Sequence, residues 1–434
     1  MKEFIRYTIL SILGQLGISC YIIADTFFIS KGLGANGLTA LNLAIPVYNF
    51  IFGTGLMFAI GGATKFSIYK GMKQKKQADI IYSNTMVGTL TCSVLFVLLG
   101  IFGAETIAKL LGADEVTLEM TTTYLRWILI FAPAFMLNEV LHCFVRNDDA
   151  PNLVMIATLA GSFTNILFDY IFIFPMRMGI LGAVLATGTA PLFSILIMLP
   201  HWLKKKNTFH FVKTKLVWKN LSQLTSLGFP SLLGQVSGGV VMIIFNILIL
   251  RLEGNVGVAA YGVIANIAIV ITSIYTGLSQ GMQPLISNHY GKGSFLQIRK
   301  IMNYGLVTMT GISVILYAIL YVFAPQIAAV FNSEGNEMLQ RIAETGLKIY
   351  FTSNLFVGFN TVLATYFTSI EKALPAQILS LLRGFILIIP GAFLMSALWG
   401  MDGIWFCFPI VEAVVAVLGG CIYFTKKEKI KDSF

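Results

Sequence analysis

Two aspartates stand inside long apolar stretches, Asp25 in SCYIIADTFFIS and Asp169 in NILFDYIFIF. A carboxylate surrounded by hydrocarbon side chains is costly, so each needs a chemical reason to be there. Each aspartate lies 17 residues beyond the estimated start of its stretch, about 25 Å at 1.5 Å per residue, so the two share one depth. Asn165 is one helical turn before Asp169 on the same face, and the stripe continues through Gly161 and Thr158. Thr187 descends about 12 Å from the opposite side and reaches nearly the same level. Two buried carboxyl groups at one depth are a candidate site for a proton, Na+ or an organic cation. All three compete for the same negative charge. Competition couples their movements, because each occupant favours a conformation only through its differential affinity.

The elements that must position these groups are membrane helices. Of 434 residues 56% are apolar and only 12% charged, and the mean hydropathy is +0.80, which excludes an ordinary soluble domain. Apolar runs between charged or Gly/Pro punctuation predict twelve spans: 8–30, 41–69, 84–112, 121–145, 152–175, 179–203, 222–251, 258–289, 301–331, 341–370, 375–398 and 401–425. Of the 30 Lys and Arg residues, 22 fall at the amino terminus, after even-numbered spans or in the tail, and seven fall at the opposite ends. Both termini are therefore expected in the cytoplasm. This placement assigns the net charge of +10 to membrane topology rather than to a nucleic-acid partner. The amino terminus runs into apolar sequence without a small-residue cleavage site and is expected to be the first span, not a signal peptide. The five cysteines lie in apolar runs without a CxxC pair, so neither a disulfide framework nor a zinc site is expected.

An internal repeat is spaced by 220 residues. LGANGLTAL from Leu33 aligns with EGNVGVAAY from Glu253, pairing Gly34 with Gly254 and Gly37 with Gly257, and AETIAKL from Ala104 aligns with APQIAAV from Ala324. After one slip GILGA at Gly179 faces GMDGI at Gly400. Six spans per half is an even number, so the halves enter the membrane from the same side as parallel repeats. The expected fold is all-α, twelve transmembrane helices in two six-helix lobes: 1–203, a basic cytoplasmic linker over 204–220, and 221–434. The repeat mates of Asp25, Asn165, Asp169 and Thr187 are Phe245, Ile386, Pro390 and Phe408. The polar set thus belongs to one lobe.

ADTFFISKGLGANGLTALNLAIPV, the FVRNDDAP turn, NILFDYIFIF with GILGAVLAT, and QGMQPLISNHYGKG together resemble the multidrug and toxic compound extrusion (MATE) family across essentially the whole chain. The resemblance implies a secondary antiporter of the cell membrane that expels cationic or amphipathic organic compounds in exchange for protons or sodium by alternating access. It implies that Asp25, Asn165, Asp169 and Thr187 are the amino-lobe ion site, with Na+ or H+ as the coupling ion and no cofactor. A monomer is expected. One branch of the family places carboxylates in the tenth span. Here that span carries Asn360, Thr361 and Thr365 instead, which argues against coupling through the second lobe.

Other intramembrane polar groups receive plainer assignments. Arg383 and Glu412 lie at similar depth in the last two spans and are expected to form a structural ion pair. Gln280, Gln283 and Asn360 are candidates for lining the substrate cavity. Glu139 is expected to make a salt bridge with Arg146 or cap a cytoplasmic helix end, and His142, His201, His210 and His289 to sit near such ends. A flippase for a lipid-linked saccharide is the competing transporter reading; it would line its cavity with basic residues, and only Arg383 is a clear intramembrane cation. A channel would not confine two buried aspartates to one lobe. No Walker loop or catalytic triad is present, so no enzymatic activity is expected.

Overall fold

The computed structural model describes residues 1–214, 218–332 and 335–431, and these residues are helical with short connections. The helices are α1 (Lys2–Gly71), α2 (Lys75–Phe102), α3 (Ala104–Leu110), α4 (Leu118–Ile130), α5 (Ala132–Asn147), α6 (Pro151–Ile173), α7 (Gly179–Met198) and α8 (Pro200–Leu203), followed by α9 (Trp218–Gly291), α10 (Phe295–Val322), α11 (Ala324–Phe331), α12 (Glu337–Tyr350), α13 (Asn354–Ser369), α14 (Ala373–Leu381) and α15 (Ile388–Lys431). They make twelve crossings. α1 and α9 each cross twice, turning back at Gly34 (φ 67°, ψ −157°) and Gly254 (φ 63°, ψ −154°). These glycines are repeat mates, and the positive φ is the reason a side chain is absent at both. α4 and α5 are one span bent by 45°, α12 and α13 another, and α15 turns back at Gly400. The short helices α3 and α11 are the aligned AETIAKL and APQIAAV segments.

Two apolar cores mark the two lobes. One is built from residues 29–224 and includes Phe66, Tyr82, Phe144 and Phe209. The other runs from Phe245 to Val415 and takes in Phe4 and Tyr7 of the first crossing. Phe393, Leu394, Leu398 and many other large apolar side chains remain exposed on the outside of the bundle, as a lipid-facing surface allows.

The lobes meet at the end that carries Met1. There α1 and α9 cross at glycines that leave no room for a side chain: a Cβ at Gly61 would fall 1.9 Å from Leu224 O, and one at Gly228 would fall 1.7 Å from Met57 O. Gly277 and Gly281 pack in the same way on Ile12 and Thr8, so the seam obeys the repeat. Close approach of this kind replaces the hydrophobic drive that helices lack in lipid. Polar contacts cross the same seam: Lys65 Nζ donates to Gln223 Oε1 (2.7 Å) and pairs with Glu371 (3.1 Å), and Gln15 Nε2 donates to Gln280 Oε1 (3.1 Å). Higher up, the Ser19 and Ser273 hydroxyls meet. Beyond that level no hydrogen bond, ion pair or ring contact joins the lobes among the described residues. Gly228→Ala is expected to force the seam apart, at about 1–3 kcal/mol for an overpacked contact. Cross-linking of cysteines placed at Lys65 and Gln223 should fall, and an unchanged yield would contradict the seam.

The segment after the sixth crossing is not a free tether. Phe209 is fully buried, against Tyr82 (ring centroids 4.6 Å), Phe66 (5.5 Å) and Phe144 (5.7 Å). His210 N–H donates to Asp79 Oδ1 (2.8 Å), Val212 N–H to Ser83 Oγ (2.9 Å) and Thr208 N–H to Asp148 Oδ2 (2.8 Å). Burial pushes the Asp148 carboxyl up, but hydrogen bonds from His201 and Thr208 and the charge of Lys70 outweigh it and hold the group below the ordinary carboxylate range. Its stabilising contribution is therefore complete above the ordinary pKa and lost as pH falls through the lowered one. Helix resumes at Trp218, inside the segment expected to be linker, and residues 215–217 lie outside the described residues.

Candidate functional site

Small residues let the first crossing lie close to α6. A Cβ at Gly17 would meet Leu159 Cδ2 at 2.6 Å and one at Gly32 would meet Ile173 Cγ2 at 2.3 Å, on either side of Asp25. Gly161 approaches Ala190 O on α7. Three helices are thereby drawn together around one level, and the structure places Asp25, Asn165, Asp169 and Thr187 there as a single cluster. Asp169 and Asn165 are fully buried, Thr187 is 5% exposed and Asp25 7%.

The carboxyl groups of Asp25 and Asp169 lie within hydrogen-bond reach of each other. Two carboxylates that close cannot both stay charged without a proton or cation between them. With its amide oriented to suit both neighbours, Asn165 Nδ2 donates to Asp169 Oδ2 (3.1 Å) and its carbonyl oxygen accepts from Thr187 N–H (3.3 Å). Oδ1 of Asp25 and Oδ1 of Asp169 are buried with no hydrogen-bond partner among the described residues. Uncompensated buried oxygens are expensive, and together with the Asn165 and Thr187 oxygens they form an all-oxygen set suited to a hard cation or a proton.

Sequence reasoning missed two members of this cluster. Tyr124 of α4, 3% exposed, lies beside the Thr187 side chain and in the field of both aspartates. Nothing in TTTYLRW singles it out. Tyr21 is one turn before Asp25 on the same helix face, a spacing that was visible, and its hydroxyl meets that of Tyr48 at 3.0 Å. Among the described residues no cluster of three or more His, Cys, Asp or Glu groups could hold a transition metal.

The second lobe holds a different arrangement. Arg383 Nε and Nη2 both reach Glu412 Oε1, at 2.9 and 2.8 Å, while Glu412 Oε2 accepts from Asn360 Nδ2 at 2.7 Å. Asn360 also donates to the Glu412 carbonyl (2.9 Å), tying α13 to α15. Arg383 sits in a π-helical turn, Leu382–Ile386. Pro390, the mate of Asp169, lacks the N–H that would bond the carbonyl four residues back, and the turn before it widens. At the mates of Asp25 and Thr187, Phe245 packs on Tyr261 (5.7 Å) and Phe408 stacks on Tyr350 (4.9 Å, 5°). Aromatic core fills the space that the first lobe gives to its polar cluster.

Gln280 and Gln283 lie at the closed seam. Arg146 Nη1 donates to Gln280 Oε1 (2.9 Å), Asn147 Nδ2 to Gln283 Oε1 (3.1 Å), and Gln283 Nε2 to Thr64 Oγ1 (3.0 Å). Arg146 thus turns to the other lobe and makes no ion pair with Glu139.

Two parallel six-helix lobes joined at one end, with a buried carboxyl pair inside one of them, define a membrane transporter. Residues 11–171 and 230–394 match the MatE family, and the chain belongs to that family of multidrug and toxic compound extrusion transporters. Among its relatives is the multidrug export protein MepA of Staphylococcus saprophyticus, 27% identical over 431 residues, covering 99% of this chain and 94% of the relative. MepA of Staphylococcus aureus is 26% identical with the same coverage. The fold is shared with a MOP superfamily transporter of Pyrococcus furiosus (TM-score 0.92, 22% identity, 99% of this chain and 96% of that one). A multidrug resistance MATE transporter solved in an outward-facing conformation superposes with a TM-score of 0.93 at 21% identity, over 99% and 96% of the two chains.

Proposed function

We propose that this protein is a multidrug efflux antiporter that exports cationic organic compounds in exchange for a proton or Na+ at Asp25 and Asp169. The observation that carries this reading is the pair of carboxyl groups at hydrogen-bond reach, each with a buried unpartnered oxygen. A pair in that state must hold a counter-ion or lose it to a competing cation. Likeness to the multidrug export protein MepA supports organic compounds as the exported class.

Alternating access follows from differential affinity. The ion-loaded and substrate-loaded carboxyl pairs favour different arrangements of the halves 1–203 and 221–434, and the seam at Gly61 and Gly228 opens in one of them. The Lys/Arg asymmetry supports a cell-membrane orientation with both termini and the 204–220 segment in the cytoplasm, and the protein acts as a monomer. A flippase reading gains nothing from the second lobe, because Arg383 is already engaged by Glu412. In a cysteine-free background, Phe211→Cys, at a site 62% exposed, should react with an impermeant thiol reagent only from the cytoplasmic side; labelling from outside would overturn the orientation. Efflux of tetraphenylphosphonium from proteoliposomes under separately imposed proton and sodium gradients tests the antiport. Transport driven by at least one gradient is expected, and equal rates with neither would contradict it.

A further inference from the structure

Glu139 is a carboxylate inside the membrane-spanning core to which the reading above gives no task. It lies on α5, between the aspartate pair and the closed end, and is 5% exposed. It accepts no side-chain hydrogen bond among the described residues. Arg146, two turns on, points its guanidinium at Gln280 (2.9 Å) and Cys143 Sγ (3.2 Å). His142 Nδ1 is 3.8 Å from Glu139, and the Nε2 of that ring is engaged with Ser194 Oγ at 2.8 Å. The carboxylate edges a small cavity that it shares with His142, Arg146, Gln15, Thr158 and Gln280. A buried carboxylate without a donor needs a proton or a cation during part of a cycle.

A pair of hydroxyls lies close enough to both this carboxylate and the aspartates to feel their charge. Tyr21, one turn from Asp25, meets Tyr48 at 3.0 Å. Tyr21 lies in the combined field of Asp25, Asp169 and Glu139, and Tyr48 also lies in the field of Glu139. The Tyr48 ring packs edge-on against Phe135 (5.5 Å), one turn before Glu139 on α5. Paired hydroxyls move a proton by accepting one at the first oxygen and releasing another from the second. They cannot pass Na+, which needs a shell of oxygens around it.

We propose that Glu139 is the inner proton acceptor of the coupling path, taking up the proton that the Asp25–Asp169 pair releases, with the Tyr21–Tyr48 hydroxyls between them. The proposal rests on the antiport reading and commits it to the proton. The groups that face Glu139 are His142, Cys143 and Arg146 from its own helix and Tyr21 and Tyr48 from α1. Among the described residues, the polar side chains that α6 and α9 bring to the same cavity are the neutral Thr158 and Gln280. A charged Glu139 also competes with Gln280 for Arg146 and so weakens a contact that holds the lobes together.

The test uses the full-length protein in proteoliposomes with tetraphenylphosphonium and an imposed pH gradient. Glu139→Gln should lower gradient-driven transport at least about tenfold, within the usual share of one positioned proton-transfer group, with binding of the cation and thermal midpoint unchanged. Glu139→Asp should keep transport and shift its pH profile, and the Tyr21→Phe, Tyr48→Phe double variant should slow transport in the same direction. Wild-type rate and pH profile in Glu139→Gln, beside an inactive Asp25→Asn, would overturn the proposal and leave the antiport reading standing. Wild-type transport by Asp25→Asn itself would overturn the antiport reading. If Glu139→Gln does not fold, an unshifted pH profile in Glu139→Asp overturns the proposal.

Discussion

Asparagine at Asp25 or Asp169 is expected to bring gradient-driven efflux down by about 100-fold, the scale of a coupling free energy near 3 kcal/mol. The substitution keeps the size and hydrogen bonding of the side chain and removes its titratable charge. No counter-ion then competes with substrate, and one conformation is no longer favoured over the other. Folding should not suffer. Each aspartate has an unpartnered buried oxygen, so neutralising it removes a desolvation cost and the thermal midpoint should hold or rise. Asn165→Ala and Thr187→Ala should weaken transport less, because they support the carboxyl pair without carrying its charge. Thermal midpoints and proteoliposome efflux measured on the same preparations check both halves of this expectation. A large loss of stability in Asp169→Asn would make the group a packing element instead.

The pair in the second lobe should behave in the opposite way. Glu412 is 1% exposed at its side chain and Arg383 24%, so Arg383→Met leaves a buried carboxylate with only Asn360 for a donor, whereas Glu412→Gln leaves a cation that is only partly buried. Breaking a buried pair costs about 3–5 kcal/mol. Arg383→Met should lie at that level, Glu412→Gln below it, and the double variant should recover part of the loss. Thermal unfolding in detergent checks the order. If Glu412→Gln is as stable as wild type and inactive in efflux, the charge belongs to transport and not to structure.

Much of this arrangement is legible in the chain because membrane helices have a simple grammar. Hydropathy sets the spans, and a glycine aligned with a glycine 220 residues on marks the two reversals at Gly34 and Gly254, where only a residue without Cβ turns freely. The aspartates stand out because hydrocarbon surrounds them, and helical rise alone puts them at one depth. The rest depends on neighbours that are distant in sequence. Tyr124 joins the cluster only because α4 leans on α7, and nothing local to TTTYLRW shows it. Glu139 lies seven residues before Arg146 and invites an ion pair on paper, but Arg146 is drawn across the seam to Gln280. The basic segment after the sixth span looks like a tether by composition. Phe209 anchors it instead, and an aromatic among lysines gives no sign of the pocket formed by Phe66, Tyr82 and Phe144.

The central claim is that substrate and counter-ion compete for the charge of Asp25 and Asp169. Proton release on binding of tetraphenylphosphonium to the purified protein in weakly buffered detergent solution, followed with a pH indicator, tests it most directly. About one proton per bound cation is expected from the wild type, since one proton resolves the repulsion of two adjacent carboxylates, and none from the Asp25→Asn, Asp169→Asn variant. The same release from wild type and variant would contradict the account.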